Sequence, residues 1–526
     1  MELGCMSTMC HPEWSRKICA VRSPILVIPD LIGNLLVRTC ALSFLALSLA
    51  FANAIPVITA NPNASFVNGD TYLQQGIPLL QEFHKLTTGE SKQRFAYPQR
   101  NLNFRATQKR INSTVNGMQY GLDANLHAGI YAAYNHTDDA SVFPGGYVGL
   151  SASGFIDSLD FDLNAALFIE NNHDYNVFDH KKDDWILWNN KDRDFINYKH
   201  MQGRIGLNYA WLRLELGRDA LHWGPGFYNN LTLNRQTVPY GYFSIDLTFG
   251  PLRVISFYSK LEIDSVGSKI HSDGRRHLYG HRYELALGNA TFGMSEIQVI
   301  YNNNNLWLLV PIYPLFIEKG NYTERSNNGA LAFDANYRIA RLARVYGEFY
   351  LEDLDTPMSV IKNEHLDSKW ALLLGLQVAH NITLNQLNIE MGSILEYARL
   401  DQCVYTHYDP NQAQIANAGF PLGNQLGPNS QTIDWMLYSR FDNSLVGGGF
   451  LVGLRNTWSW KGNVYGSSLN NKWVPGSNKK KEFLGGAKMK YALTPMVAYN
   501  TEFLKISGSL TFFNNIEYQI GLFILI

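Results

Sequence analysis

Strict alternation of apolar and polar residues recurs along most of this chain, and it restricts the fold to strands with two unlike faces. Leu122, Ala124, Leu126, Ala128, Ile130 and Ala132 alternate with Asp123, Asn125, His127, Gly129 and Tyr131. Leu159, Phe161, Leu163, Ala165, Leu167 and Ile169 alternate with Asp160, Asp162, Asn164 and Glu170 in the same way. Further runs cover residues 331–338, 345–352, 372–378, 387–391 and 507–512, most of them bounded by Asn, Gly, Asp or Pro. A period of two places every apolar residue of a run on one face of a strand. Segments of about ten residues, apolar outside and polar inside, are the mark of outer-membrane barrels. Soluble sandwiches and propellers alternate similarly. Three features favour the barrel: only 17% charged residues, Tyr and Trp near strand ends where an interface girdle would lie, and an alternating final run at 517–526. That run ends on Ile526 rather than on the aromatic residue usual in an insertion signal. The expectation is an all-β chain, a large antiparallel transmembrane β-barrel over residues 111–526. At about ten residues per strand it would have roughly 16 to 20 strands.

The N-terminal region has a different character. Residues 41–54 form an apolar run closing on Ala52, Asn53 and Ala54, an A-x-A cleavage pattern, with Arg38 just before it. Residues 1–54 are therefore read as a leader with a signal peptide. Residues 1–34 are long for one, and a true start near residues 35–37 would leave them untranslated; the mature protein is the same either way. Residues 55–110 are expected as a periplasmic or lumen segment. In it Asp70 caps a short helix carrying Leu73, Ile77, Leu80 and Leu86, with Pro78 kinking it or delaying its start.

Charge and cysteine use exclude several classes. A net charge of −1 gives no general attraction to nucleic acid. The short run at 479–481 is expected as a solvated loop tip. Four of the five cysteines precede the cleavage pattern, so Cys403 alone cannot form an internal disulfide or a Cys-based zinc site. An exported chain without disulfides needs another means of stabilisation, and a closed barrel provides one by pairing every backbone group. The longest apolar run after the leader, residues 306–317, falls short of the ~20 residues of a spanning helix and is broken by Pro311 and Pro314.

Residues 211–234 carry the most informative motif. Leu212, Leu214 and Leu216 alternate with Arg213, Glu215 and Gly217. The strand then enters a loop in which His222, Trp223, Phe227 and Tyr228 are interleaved with Gly224, Pro225 and Gly226, followed by Asn229, Asn230 and Asn234. Aromatic faces beside amides suit sugar rings, and Arg218 and Arg235 could pair with acidic sugars. The other reading is a plug or corner in which Trp223 is packed and the glycines permit tight turns. Enzyme motifs are absent: no nucleophile elbow, Walker A or H-E-x-x-H pattern occurs. Glu348, Glu352, Asp353 and Asp355 are candidates for paired carboxylates, against a reading as lumen carboxylates paired with Arg338, Arg341 or Arg344. Asp183, Asp184, Asp192 and Asp194 match no calcium-loop spacing. His222 and His407 read as hydrogen-bonding loop residues. No metal or cofactor is implied.

The motif at 216–234, with the strand pair that follows it, resembles the central signature of Wzi-type capsule-assembly proteins, marked by Gly217 and the W-G-P-G run of Trp223, Gly224, Pro225 and Gly226. A second segment, Tyr346, Gly347, Glu348 and onward to Asp353, is similar to that family's YGE…D segment. A third, Tyr405, Thr406, His407 and Tyr408 followed by Gly423 and Gly427, is similar to its Y-T-H…L-G-H…G-P-D run, with Asn424 and Asn429 standing where a histidine and an aspartate are common. The resemblance covers roughly residues 122–526. It implies a barrel of about 18 strands with a periplasmic helical part. It also implies a lectin-like, non-catalytic role in holding capsular or related polysaccharide at the surface of a Gram-negative-type cell. The partners would be that glycan and outer-membrane lipid, with a monomer as the simplest assembly. Two other readings stand beside it: a diffusion porin for oligosaccharides, with the aromatics as a sugar slide, and an outer-membrane enzyme acting on glycan or lipid.

Overall fold

The computed structural model describes residues 111–525, apart from stretches at 116–117, 136–140, 172–184, 189–194, 264–270, 319–326, 340–342, 354–365, 367, 385–386, 444–447, 473, 475–478, 502–504 and 514–517. The expected leader and the expected helix at 70–86, with Asp355 and the four aspartates between 183 and 194, lie outside the described residues.

Every long alternating run became a strand. In chain order the strands are β1 (Ile111–Val115), β2 (Met118–Asn135), β3 (Ser141–Ile156), β4 (Leu159–Asn171), β5 (Trp185–Trp188), β6 (Phe195–Tyr209) and β7 (Leu212–Asp219). Next come β8 (Tyr240–Phe249), β9 (Leu252–Ile263), β10 (His271–Leu287), β11 (Ala290–Tyr301), β12 (Asn327–Ile339), β13 (Ala343–Asp353), β14 (Lys369–Leu384) and β15 (Leu387–Leu400). The last are the two-residue β16 (Ala416–Asn417) and β17 (Phe420–Pro421), then β18 (Ser430–Asn443), β19 (Gly448–Lys461), β20 (Lys488–Thr501), β21 (Lys505–Phe513) and β22 (Tyr518–Leu525).

Apart from the β16–β17 pair, these form one 20-stranded sheet, antiparallel at every pairing. Short β1 and β5 attach only to β2 and β6. Among the described residues the remaining strands each have a neighbour on both sides, because β22 returns to β2 from Gly129↔Leu525 to Asn135↔Gln519. The fold is a large antiparallel sheet of barrel-like topology, with a strand number in the expected range. Its two ends differ. Tight turns join Ile156 to Leu159, Tyr209 to Leu212, Phe249 to Leu252 and Leu287 to Ala290, with Asp157, Ala210, Gly250 and Gly288 in the left-handed region. Long connections leave the opposite end after β7, β11, β15 and β19.

The polarity of the sheet is reversed relative to a soluble protein. In β12, Asp334 and Asn336 are buried while Phe333 and Tyr337 are about half exposed, at 47% and 51%. Likewise Glu215 is buried and Leu216 exposed, and Asp162 and Asn164 are buried while Leu167 and Ile169 are exposed. Charged residues are ordinarily the last to be buried, so this pattern fits a sheet whose outer face meets lipid. Tyr209, Trp211 and Phe249 lie exposed at the tight-turn end, Trp211 stacked on Phe249 at 5.6 Å, as in an interface girdle. The inner face is packed by long connections folded inward. Leu221, Trp223, Leu231 and Leu233 of the β7–β8 connection, and Val404, Tyr405 and Leu422 of the β15–β18 connection, share a buried cluster with Phe257, Leu278 and Leu373 of the strands.

Candidate functional site

The W-G-P-G loop is held by its own turns and by the sheet. The Asp219 carboxylate at the end of β7 accepts from the Ala220 amide at 2.6 Å. The loop then doubles back: Trp223 bridges Leu233, its amide donating to the Leu233 carbonyl at 3.1 Å. Gly224 makes the bend at φ +113°, where a Cβ would meet the Glu348 carboxylate at 2.7 Å. Asn230 Oδ1 accepts from the Gly226 amide at 2.6 Å, and its amide nitrogen contacts the His222 ring. Asn234 Nδ2 donates to the Tyr228 carbonyl at 2.8 Å. Pro225 offers its carbonyl to Arg344 Nη2 at 3.1 Å.

Carboxylates on the inner face hold this loop by its backbone. Glu396 on β15 accepts from the amides of Phe227, Tyr228 (2.9 Å) and Asn229 (3.1 Å), and from the Tyr346 hydroxyl at 2.8 Å. Glu348 on β13 accepts from the amides of Leu231 (2.9 Å) and Thr232 (3.0 Å), and from the Thr232 hydroxyl at 2.6 Å. Asp434 on β18 accepts from Asn229 Nδ2 at 2.9 Å and pairs with Arg455 at 2.7 Å. That guanidinium also stacks over the Tyr228 ring at 3.9 Å. Charge-assisted hydrogen bonds of this kind are about twice as strong as neutral ones.

The third segment closes the unit. Glu352 accepts from the Tyr405 amide at 2.5 Å and pairs with Lys369 at 2.7 Å, which also pairs with Asp353 at 2.6 Å. The Tyr405 hydroxyl donates to the Leu231 carbonyl at 2.6 Å and accepts from the Asn424 amide at 3.1 Å. Asn424 Nδ2 donates to Asn229 Oδ1 at 3.0 Å. Asn429 donates to Ser467 and accepts from the Leu484 amide, each at 2.8 Å, so Asn424 and Asn429 both make neutral amide bonds. His407 is buried beside the Asp409 backbone. Gly423 lies against the Leu231 carbonyl and Tyr405 hydroxyl, and Gly427 turns at φ +66°. Burial pushes the Cys403 thiol up to about 11 and the Tyr405 phenol well above its usual range.

The three sequence motifs are thus one interior plug. Trp223 is 1% exposed and packs edge-on against Phe257 at 5.0 Å. Tyr228, Asn229, Asn230 and Asn234 are buried as well, His222 and Arg218 are half-buried, and Arg235 is exposed. Gly217 and Gly347 stand on strands β7 and β13 against neighbouring backbone and side chains. Of the arginines expected as partners of Glu348 and Glu352, Arg341 lies outside the described residues. Glu348 binds backbone amides, Glu352 pairs with lysine, and Arg344 lies over the Tyr346 ring at 4.3 Å. Nor is the 479–481 run wholly solvated: the Lys481 side chain is buried, pairing with Asp401 and donating to the Ser368 carbonyl at 2.7 Å. Sequence reading missed Glu396, Asp434, Arg455 and Lys369. Each sits at an inward position of an alternating strand, but no local motif marks it. Among the described residues no group of three or more His, Cys, Asp or Glu is placed to hold a metal.

An antiparallel sheet of this size, apolar outside, charged inside and filled by its own loops, defines an outer-membrane protein of barrel-like fold from a Gram-negative-type envelope. No family model and no curated protein sequence matches the chain. Among solved structures it is similar to Wzi of Escherichia coli, described as a carbohydrate-binding β-barrel involved in group 1 capsule assembly. That likeness has 15% identity, 77% of this chain and 84% of that one covered, and a TM-score of 0.49. It is also similar to a BenF-like porin of Pseudomonas fluorescens (9% identity, 79% and 99% covered, TM-score 0.42) and to Pseudomonas aeruginosa OccK2 in complex with glucuronate (9%, 79% and 97%, 0.40). At such identities and scores, function rests on this chain's own residues.

Proposed function

We propose that this chain is a closed 18-stranded outer-membrane β-barrel that binds or anchors capsular or related polysaccharide at the cell surface without catalysis. The observation that carries this reading is the plug. The three segments singled out in the sequence meet inside the sheet, and their carboxylates are engaged by backbone amides and ion pairs rather than left open to a substrate. The return of β22 to β2 supports closure. Glycan contact is assigned to the accessible residues around the W-G-P-G turn, with Arg235 exposed and His222 and, at the end of β7, Arg218 half-buried. Trp223, Tyr228, Asn229, Asn230 and Asn234 act from beneath by fixing the loop's shape. Deleting the gene should shed polysaccharide into the medium with synthesis intact; unchanged retention would overturn the proposal.

A second reading, an oligosaccharide diffusion porin, draws support from the placement of the plug's anchors. Glu348, Glu396 and Asp434 stand on β13, β15 and β18, one arc of the wall. The arc around β4, β6 and β7 carries its own charged network, with Arg204 paired to Asp162 and Glu215, and Arg213 paired to Asp160 and Glu215. Planar-bilayer conductance separates the two readings: steady ohmic channels of porin size favour transport, and a silent barrel favours anchoring.

A further inference from the structure

The connection from β11 to β12 contains the apolar run at 306–317, too short to span a membrane as a helix. The β9–β10–β11 register aligns Ser256 with His281 and His281 with Glu296. It likewise aligns Phe257, Gly280 and Ile297, and this second row faces inward, since Phe257 packs on Trp223. Ser256, His281 and Glu296 therefore face outward, where neighbouring strands present Leu285, Phe292 and Phe333. They are nonetheless buried, because the connection folds back over them.

The covering contacts are specific. The Leu309 carbonyl accepts from Ser256 Oγ at 2.6 Å, the Leu308 carbonyl meets His281 Nε2 at 2.8 Å, and the Pro311 carbonyl accepts from the Tyr283 hydroxyl. The Leu315 amide donates to Glu296 Oε2 at 2.8 Å. Within the segment the amides of Leu308, Val310 and Tyr313 donate to carbonyls of Asn305, Trp307 and Val310. Pro311 and Pro314 have no N–H to satisfy. Leu308 and Leu315 pack inward on Tyr279 and Ile300. The other face is turned out: Trp307 is 75% exposed, Ile312 88% and Ile317 71%.

We propose that residues 306–317 form a belt embedded in the hydrocarbon of the outer membrane, lying on the outer wall of β9–β11, with lipid acyl chains as its partner. Non-helical backbone in lipid must have its polar groups satisfied by protein, and here outward Ser256, His281, Tyr283 and Glu296 engage the carbonyls of Leu309, Leu308 and Pro311 and the amide of Leu315. An apolar patch of this kind is a liability in water. In lipid it continues the apolar face of β10, where Leu285 follows Tyr283 by two residues. The belt rests on the outer-membrane reading above.

The test uses the folded mature chain in phosphatidylcholine vesicles containing doxyl-labelled lipid. Single cysteines at Ile312→Cys, Leu376→Cys and Lys480→Cys carry a bimane fluorophore; Cys403 is buried and does not compete. The expected result is a loss of fluorescence at position 312 equal to that at lipid-facing Leu376, with none at exposed Lys480. Quenching at 376 but not at 312 overturns the belt and leaves the barrel standing. No quenching at either overturns the membrane reading and the belt with it. Protection of 312 from both lipid quencher and aqueous iodide, with cross-linked dimers, assigns the face to a second copy and overturns the lipid partner.

Discussion

Thr232 and Glu348 are joined twice. The Thr232 amide and hydroxyl both donate to Glu348 Oε1, at 3.0 and 2.6 Å, across a separation of 116 residues. The carboxylate thereby ties the β7–β8 connection to the inner wall at β13. Glu348→Gln turns one acceptor into a donor facing these groups, and a hydrogen bond to a charged group contributes about 1.5–3 kcal/mol. The expected outcome is a loss of that order in urea unfolding, followed by heat-modifiable migration. Protease cleavage within 220–239 should appear while the sheet stays folded.

Gly423 permits the closest approach in the plug. A Cβ there would lie nearer than 3.0 Å to the Leu231 carbonyl oxygen and the Tyr405 hydroxyl, whereas one at Gly241 would meet nothing within 4 Å. Gly423→Ala should reduce stability and loosen both connections. Gly241→Ala should leave unfolding within about 0.5 kcal/mol of the parent, as for a surface change without special contacts. Equal effects at the two sites would refute the close packing.

Trp223 acts by shape. Its indole N–H is buried without a hydrogen-bond partner among the described residues. Trp223→Phe should therefore retain most of the packing on Phe257. Trp223→Ala should cost about 3–5 kcal/mol, as aromatic truncations in cores do. Polysaccharide retention should follow the same order, whereas direct stacking on sugar would abolish binding with little change in stability.

Cys403 supplies a pH marker. Its folded value near 11, against 9.0 for the free group, means that burial disfavours the thiolate. Maleimide at pH 8 should label unfolded protein and spare the folded form. The unfolded chain ionises first as pH rises, so this group's contribution to stability is complete below about pH 9 and declines towards 11. Rapid labelling of the native form at pH 8 would contradict the burial.

Arg235 is the exposed cation of the loop. Arg235→Glu should weaken retention of an acidic polysaccharide by several-fold, with a salt dependence smaller than the parent's. A neutral glycan should be retained as before. No change with either glycan would place the binding surface elsewhere.

The alternating runs announced their strands, because one apolar face in two is a local property that survives any tertiary arrangement. The expected faces also held: Leu216 turns out and Glu215 in, Leu167 out and Asp162 in. The candidate site was legible only as three separate motifs. Trp223 read equally well as a sugar platform or a packed corner, since an aromatic beside glycines serves either. Glu396 and Asp434 carried no signal, because an inward carboxylate looks the same whether it meets water, an arginine or a backbone amide. The 306–317 run was legible as apolar, but not as a belt, since its support comes from Ser256, His281 and Glu296 on three different strands.

By itself, then, the sequence determined that this protein is a sheet with a lipid-compatible face and a polar face, because side-chain alternation along a strand depends only on backbone geometry. What fills the polar side was decided by the tertiary structure. There the amides of residues 227–229, 231, 232 and Tyr405 meet Glu396, Glu348 and Glu352 over separations of more than 50 residues. Such a partner exists only once the sheet has brought distant strands to one wall, and no local pattern specifies it.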